Sequence, residues 1–86
     1  MFNDKKILIT GGTGSFGRAF TSYVLKNYKP RKLVIFSRDE MKQWEMAKDY
    51  VDNERLRFFI GDVRDRQRLY RALDGIDFVV HAAATK

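Results

Sequence analysis

Short apolar runs alternate along the chain with segments in which apolar residues recur at helical spacing. The apolar runs predict strands at 5–10, 32–36, 55–60 and 76–81. The segments between them predict helices at 19–28, 39–50 and 65–73. The second run is almost entirely apolar, which is typical of a parallel strand covered on both faces. Short connections between alternating strands and helices predict an α/β fold, a three-layer doubly wound parallel (Rossmann) sheet with strand order 3-2-1-4.

The same periodicity predicts which side chains face the sheet. The predicted inner face of the second helix consists of Met41, Trp44, Ala47 and Val51. The aromatic residues expected in the core are Trp44, Phe58 and Phe59. In the third helix, Leu69 and Leu73 are expected to point inward, and Gly75 is expected to end the helix in a left-handed conformation.

A glycine-rich turn, Thr10-Gly11-Gly12-Thr13-Gly14-Ser15-Phe16-Gly17, joins the first strand to the first helix. A helix N-terminus offers unpaired N–H groups and the positive end of the helix dipole, so it attracts a pyrophosphate. Gly11 permits the tight turn, Gly14 leaves room for the phosphates, and Gly17 lets the helix pack closely on the sheet. A hairpin without ligand would need a second alternating strand where a helical period follows. The pattern therefore predicts a dinucleotide site.

The residues after the second strand indicate which dinucleotide binds. NAD enzymes usually place a carboxylate there for the ribose hydroxyls, whereas NADP enzymes place small and basic groups for the 2′-phosphate. Ser37, Arg38 and Lys42 suit a phosphate and favour NADP. Asp39, if turned inward, is the residue that an NAD site would use.

Two other strand ends supply candidate residues. Asp62 can accept a hydrogen bond from the adenine amino group while Val63 covers the ring; its alternative role is the N-cap of the next helix, for which Asp65 competes. After the fourth strand, the small side chain of Ala82 lets the backbone approach the ribose and nicotinamide. We expect His81 to be a packed, hydrogen-bonded histidine rather than a catalyst.

Length and composition limit the class of protein. The chain has 86 residues and no cysteine, which excludes a disulfide framework and a thiolate metal site, and we expect no metal. It is short for a sheet buried on both faces, so we expect residues 1–86 to be the N-terminal part of a single NADP-binding domain. No run has the length of a membrane span and no secretory segment precedes the first strand, so a cytoplasmic protein without membrane contact is expected.

The net charge of +6 raises nucleic-acid binding as an alternative. The arginines at 64–71 are interleaved with Asp62, Asp65 and Asp74, which is typical of a solvated helix face. No RNA-recognition, helix-turn-helix or zinc pattern is present. Binding of an anionic small ligand explains the positive charge more simply, so no nucleic-acid partner is expected.

The pattern T-G-x-x-G-x-x-G at 10–17 resembles that of the extended short-chain dehydrogenase/reductase family. Four longer stretches are similar to the inverting UDP-N-acetylglucosamine 4,6-dehydratases of pseudaminic acid synthesis and their capsule-polysaccharide relatives: GGTGSFG (11–17), FSRDEMKQ (36–43), RFFIGDVRD (57–65) and HAAATK (81–86). The resemblance extends over essentially the whole chain.

This resemblance implies an enzyme that retains NADP, acts on UDP-N-acetylglucosamine and forms a homo-oligomer at full length. In such an enzyme a hydride leaves sugar C4, water is lost across C5 and C6, and the hydride returns to C6 with inversion at C5. The implied cofactor-binding residues are Gly11, Thr13, Gly14, Ser15, Phe16, Gly17, Ser37, Arg38, Asp39, Glu40, Met41, Lys42, Asp62, Val63, Ala82 and Lys86. Lys86 is also implied to lie near the substrate.

The resemblance places the catalytic residues of these enzymes beyond Lys86. Their catalytic tyrosine is followed four positions later by lysine, whereas Tyr23 and Tyr70 are followed by Asn27 and Asp74. No catalytic residue is therefore expected in this chain, and the 86 residues alone are expected to be inactive. Two alternatives remain: a capsule-polysaccharide UDP-sugar dehydratase or epimerase, and a non-enzymatic NADP-binding module.

Overall fold

The computed structural model describes residues 2–82 of the chain. Strands and helices alternate through it as β1 (Lys6–Thr10), α1 (Ser15–Asn27), β2 (Lys32–Ser37), α2 (Glu40–Ala47), β3 (Leu56–Ile60), α3 (Arg66–Leu73) and β4 (Phe78–His81). One turn of 3₁₀ helix, Lys48–Tyr50, follows α2. Each predicted element is present, with ends that differ by a few residues; α1 begins four positions earlier than expected, at Ser15.

The four strands form one parallel sheet in the order β3-β2-β1-β4, which confirms the predicted topology. Thr10 at the end of β1 lies opposite Phe36 of β2 and His81 of β4. Ser37 lies opposite Ile60 at the end of β3. Because all four strands point the same way, the loops after them meet at one edge of the sheet.

Hydrophobic clusters cover both faces of the sheet. The first lies against α1 and α2, and its buried members are Ile7, Ile9, Val24, Leu33, Ile35, Met46 and Leu56. The second lies against α3, and its buried members are Leu8, Phe36 and Ala72. Phe58 packs against the first cluster and Phe59 against the second, both partly buried. Leu69 and Leu73 also pack against the second cluster, as predicted.

The predicted inner face of α2 is wrong. Met41 and Trp44 are 65% and 61% exposed, and Val51, which lies beyond the helix, is 78% exposed. The helix instead buries Gln43 and Met46, which are 4% and 1% exposed. The predicted helix is present, but the apolar character of its residues alone predicts the wrong buried side.

Hydrogen bonding explains why a glutamine takes the inner position. The side-chain amide of Gln43 bonds to oxygen atoms at the ends of β2 and β3, so its burial leaves that nitrogen satisfied. Trp44 is therefore a surface residue rather than a core residue, and the Lys48 ammonium lies 3.8 Å from its ring centroid.

The ends of α2 and α3 follow from local sequence. Asp39 and Asp65 are the N-caps, and their carboxylates accept hydrogen bonds from the backbone N–H groups of Lys42 and Arg68 at 3.0 and 3.2 Å. Asp65 rather than Asp62 thus caps α3. Gly75 has a φ of 73°, which confirms the predicted left-handed residue after α3.

Candidate functional site

A cavity of about 790 Å³ opens at the carboxyl ends of the strands, where parallel α/β sheets bind ligands. The turn after β1 contributes Gly11, Thr13, Gly14, Ser15 and Phe16. The segment after β2 contributes Ser37, Arg38, Asp39 and Lys42. Asp62 and Val63 line the cavity after β3, and Ala82 lines it after β4. The fold thus brings together residues from all four strand ends.

Of the predicted site residues, three do not line the cavity and one is not among the described residues. Gly17 is buried beneath the turn, and Glu40 and Met41 are exposed in the first turn of α2 without lining the cavity. Lys86 lies outside the described residues. Their proposed contacts with a cofactor remain predictions.

The turn after β1 has the backbone geometry that its glycines suggested. Gly11 has a φ of 66°, a region that side chains disfavour, and its N–H donates to the Phe36 carbonyl at 2.9 Å. A β-carbon at Gly17 would lie 2.4 Å from the α-carbon of Gly12, so helix and turn touch backbone to backbone. A β-carbon at Gly14 would meet only the Gly11 carbonyl oxygen, at 3.5 Å, so Gly14 borders open space.

The start of α1 differs from that of the other two α-helices in the described chain. Its N-cap is Gly14, which has no side chain to accept a hydrogen bond, and its first turn has no acidic residue. By contrast, α2 and α3 each begin with an aspartate cap. Arg18 holds the turn in place, because its Nε donates to the Thr13 carbonyl at 3.0 Å. The N–H groups at the start of α1 therefore face a cavity suited to an anion.

Three charged side chains that line the cavity form a linked group. Asp62 accepts hydrogen bonds from the Arg64 guanidinium, the shortest at 2.8 Å, and from the Arg64 backbone N–H at 2.9 Å. The guanidinium of Arg38 lies 3.5 Å from the same carboxylate. One carboxylate therefore contacts two arginines that line the cavity, and an adenine amino group would have to share it.

These contacts predict how stability varies with pH. The Arg64 side chain and then its backbone N–H hold the pKa of Asp62 well below its ordinary value. The resulting stabilisation is present above the unfolded-state pKa of about 4 and is lost as pH falls through the folded-state pKa. We expect Asp62→Asn to lower the urea midpoint at neutral pH, and the difference from wild type to shrink at about pH 3.

The measurement is urea unfolding followed by circular dichroism at both pH values. Asp52→Asn, at an exposed carboxylate in the turn after the 3₁₀ helix, serves as the control. An Asp62→Asn deficit that is the same size at both pH values would refute the ion-pair explanation.

Three residues that line the cavity are not among the predicted cofactor-binding residues. Phe36, Gly61 and Arg64 also line it. A β-carbon at Gly61 would lie 2.7 Å from the Phe36 ring, so the backbone passes directly over that ring. Gly61 and Arg64 lie in the segment that follows the third strand, within the motif RFFIGDVRD, and that position is the signal that points to them.

At the end of β4, the ring of His81 makes the hydrogen bond that was expected of it. The Thr10 hydroxyl lies 2.5 Å from its Nδ1, so the two strand ends beside the glycine-rich turn are joined through side chains. This contact agrees with a hydrogen-bonded histidine, although the residue is exposed rather than packed in the core.

Within residues 2–82, no cluster of three or more histidine, cysteine or carboxylate side chains could hold a metal ion. The helices of this part of the chain are too short or too polar to cross a bilayer.

Comparison with known proteins extends the motif resemblance. The chain is 59% identical over 86 residues to a UDP-N-acetylglucosamine 4,6-dehydratase (inverting) from Campylobacter jejuni and 49% identical over 89 residues to a UDP-glucose 4-epimerase from Rickettsia prowazekii. Both alignments cover 100% of this chain but only 25% and 26% of the relatives. The chain therefore spans about a quarter of the length of these curated relatives.

The chain also matches a solved structure and a protein-family model. The X-ray structure of Pen from Bacillus thuringiensis superposes with a TM-score of 0.92 at 42% identity, over 99% of this chain and 27% of that chain. Residues 7–86 match the family described as polysaccharide biosynthesis protein. These matches confirm the resemblance that the motifs indicated. The chain therefore belongs to the polysaccharide biosynthesis protein family and has the Rossmann fold of short-chain dehydrogenases/reductases.

Proposed function

We propose that this chain is the NADP-binding part of a UDP-N-acetylglucosamine 4,6-dehydratase that inverts C5 and serves pseudaminic acid or surface-glycan synthesis. The carrying observation is the start of α1 at Gly14, which has no side-chain cap and lines a cavity that is also lined by Arg38 and Lys42. That arrangement offers one anion site for a pyrophosphate and a second for a ribose phosphate. The 59% identity to the Campylobacter jejuni enzyme supports the reaction.

Separate groups of the described residues suit the pyrophosphate, the 2′-phosphate, the adenine and the inner ribose of the cofactor. The turn from Thr13 to Phe16 holds the pyrophosphate against the N–H groups of α1. Ser37, Arg38 and Lys42 hold the 2′-phosphate.

The remaining contacts lie beyond β3 and β4. Asp62 and Val63 border the adenine, and Ala82 borders the inner ribose. Asp39, whose carboxylate caps α2, is already engaged by the Lys42 N–H, which argues against its use as an NAD-type ribose ligand.

In this proposal bound NADP supplies a hydride acceptor, and the chain holds and orients it. The reaction is redox-neutral overall, because the hydride removed from C4 returns to C6 and the net change is loss of water. The catalytic tyrosine and lysine, the contact of Lys86 with substrate, the cytoplasmic location and homo-oligomer assembly belong to the same proposal.

A UDP-sugar epimerase is the second candidate. The 49% identity to the Rickettsia prowazekii UDP-glucose 4-epimerase supports it. Both activities begin with removal of the C4 hydride, so a common cofactor half serves either one. A non-enzymatic NADP-binding module is the third candidate, which predicts binding without turnover.

The test uses the protein expressed from its complete reading frame, incubated with UDP-N-acetylglucosamine and followed by mass spectrometry and proton NMR. The dehydratase predicts a product lighter by one water that carries a C6 methyl group. An epimer of unchanged mass would favour the second candidate, and NADP binding without product would favour the third. The 86-residue chain alone serves as the control, and product formation by it would contradict the expectation that catalytic residues lie beyond Lys86.

A further inference from the structure

Gln43 is the buried polar side chain that joins α2 to the cavity. It is 4% exposed, and its Nε2 lies 2.9 Å from Ser37 Oγ. The same nitrogen lies 3.2 Å from the carbonyl oxygens of both Ser37 and Phe59. One amide group therefore connects the ends of β2 and β3 to the helix that carries Lys42.

The surroundings fix which way this amide points. A carbonyl oxygen can only accept hydrogen bonds, so the Gln43 atom within reach of two carbonyls must be the NH₂ group rather than the side-chain oxygen. An amide nitrogen donates and does not accept, so in its 2.9 Å contact with Gln43 the Ser37 hydroxyl is the acceptor, and the two N–H groups of the amide are shared among three oxygen atoms. The hydroxyl proton of Ser37 is left to donate in another direction.

Ser37 lines the cavity beside Arg38 and Lys42. A phosphate dianion offers only acceptor oxygens, whereas a ribose hydroxyl can both donate and accept. A serine hydroxyl held as a donor in a cavity that is also lined by two cationic side chains therefore matches a phosphate monoester better than a free ribose hydroxyl.

We infer that Gln43 is a positioning residue that fixes the Ser37 hydroxyl as a hydrogen-bond donor and thereby favours a 2′-phosphorylated adenine dinucleotide over the unphosphorylated one. The inference rests on the proposed NADP-binding function and goes beyond it, because Gln43 acts through Ser37 and does not itself line the cavity. A purely structural glutamine would affect both dinucleotides alike.

The test measures the affinities of NADP and NAD by calorimetry in the protein expressed from its complete reading frame. Gln43→Met keeps the length of the side chain and removes the donor, and we expect the preference for NADP over NAD to fall about fivefold with little change for NAD. Ser37→Ala should reduce the preference for NADP over NAD at least as much as Gln43→Met does. Adding Gln43→Met to Ser37→Ala should then have little further effect on the preference, because both act through one hydroxyl.

Gln67→Met makes the same chemical change on exposed α3 and should leave the preference unchanged. An equal loss of both affinities in Gln43→Met would overturn the inference and leave the proposed function intact. Retained preference in Ser37→Ala would overturn it too, even where Gln43→Met does not fold. Failure of the wild-type protein to prefer NADP would instead refute the proposed cofactor, and the inference with it.

Discussion

Replacing Gly17 with alanine is expected to destabilise the protein by about 3 kcal/mol or more, because the new methyl group would meet backbone rather than a movable side chain. The added carbon would lie 2.4 Å from the Gly12 α-carbon and 2.5 Å from its carbonyl oxygen. Relief requires α1 to move away from the turn, which separates Val24 from the core cluster it shares with β1 and β2. A loss of this size is a large fraction of the stability of a typical domain.

Urea unfolding monitored by circular dichroism measures this effect, and Gly14→Ala is its matched control. A β-carbon at Gly14 would lie 3.5 Å from its nearest neighbour, the Gly11 carbonyl oxygen, so we expect the free energy of unfolding to change by no more than about 1 kcal/mol. The same methyl group would project toward the cavity and should weaken NADP binding in a folded protein. If the urea midpoint of Gly17→Ala matched that of wild type, the close helix-to-turn contact would be disproved.

Replacing Arg38 with methionine is expected to weaken NADP binding about thirtyfold while NAD affinity changes by less than about twofold. The guanidinium lines the cavity and lies 3.5 Å from Asp62, so it is held where a 2′-phosphate is proposed to bind. Folding should be little affected, because Asp62 keeps its shorter contact with Arg64 at 2.8 Å. The loss should also decrease at high ionic strength, since exposed charges are screened.

Calorimetric titration of both dinucleotides at two salt concentrations makes this measurement. Arg66→Met provides the control, because it removes an equal charge from an exposed position on α3 outside the cavity. Equal loss of NADP and NAD affinity in Arg38→Met would place the 2′-phosphate elsewhere. Unchanged affinity for both would leave Arg38 as a surface residue paired with Asp62.

The local sequence was sufficient to predict those features of the fold that depend on interactions between neighbouring residues. The apolar run at 32–36 predicted a buried parallel strand, and β2 spans Lys32–Ser37. Gly11 and Gly75 were expected at special backbone positions, and both have positive φ. Asp65 competed with Asp62 for the cap of α3, and the carboxylate of Asp65 accepts from Arg68 N–H.

Sequence was insufficient where a residue's position depends on a partner from another element. The burial of Gln43 in place of Trp44 depends on carbonyl groups of Ser37 and Phe59, which lie 6 and 16 positions away. Asp62 was predicted to bind adenine or to cap a helix, yet its carboxylate also pairs with Arg38, which comes from the segment after β2, besides its neighbour Arg64. Neither set of partners is visible in a periodicity.

The sequence by itself determined the element order, the parallel sheet and the strand ends from which the candidate site is built, because hydrophobic period and turn residues act over a few positions. The tertiary structure alone decided which side of α2 is buried, how closely Gly17 approaches Gly12, and which arginines share Asp62. Those outcomes depend on packing and hydrogen-bond geometry in three dimensions, whether the partners are distant in sequence, as Gln43 and Phe59 are, or only a few positions apart, as Gly12 and Gly17 are.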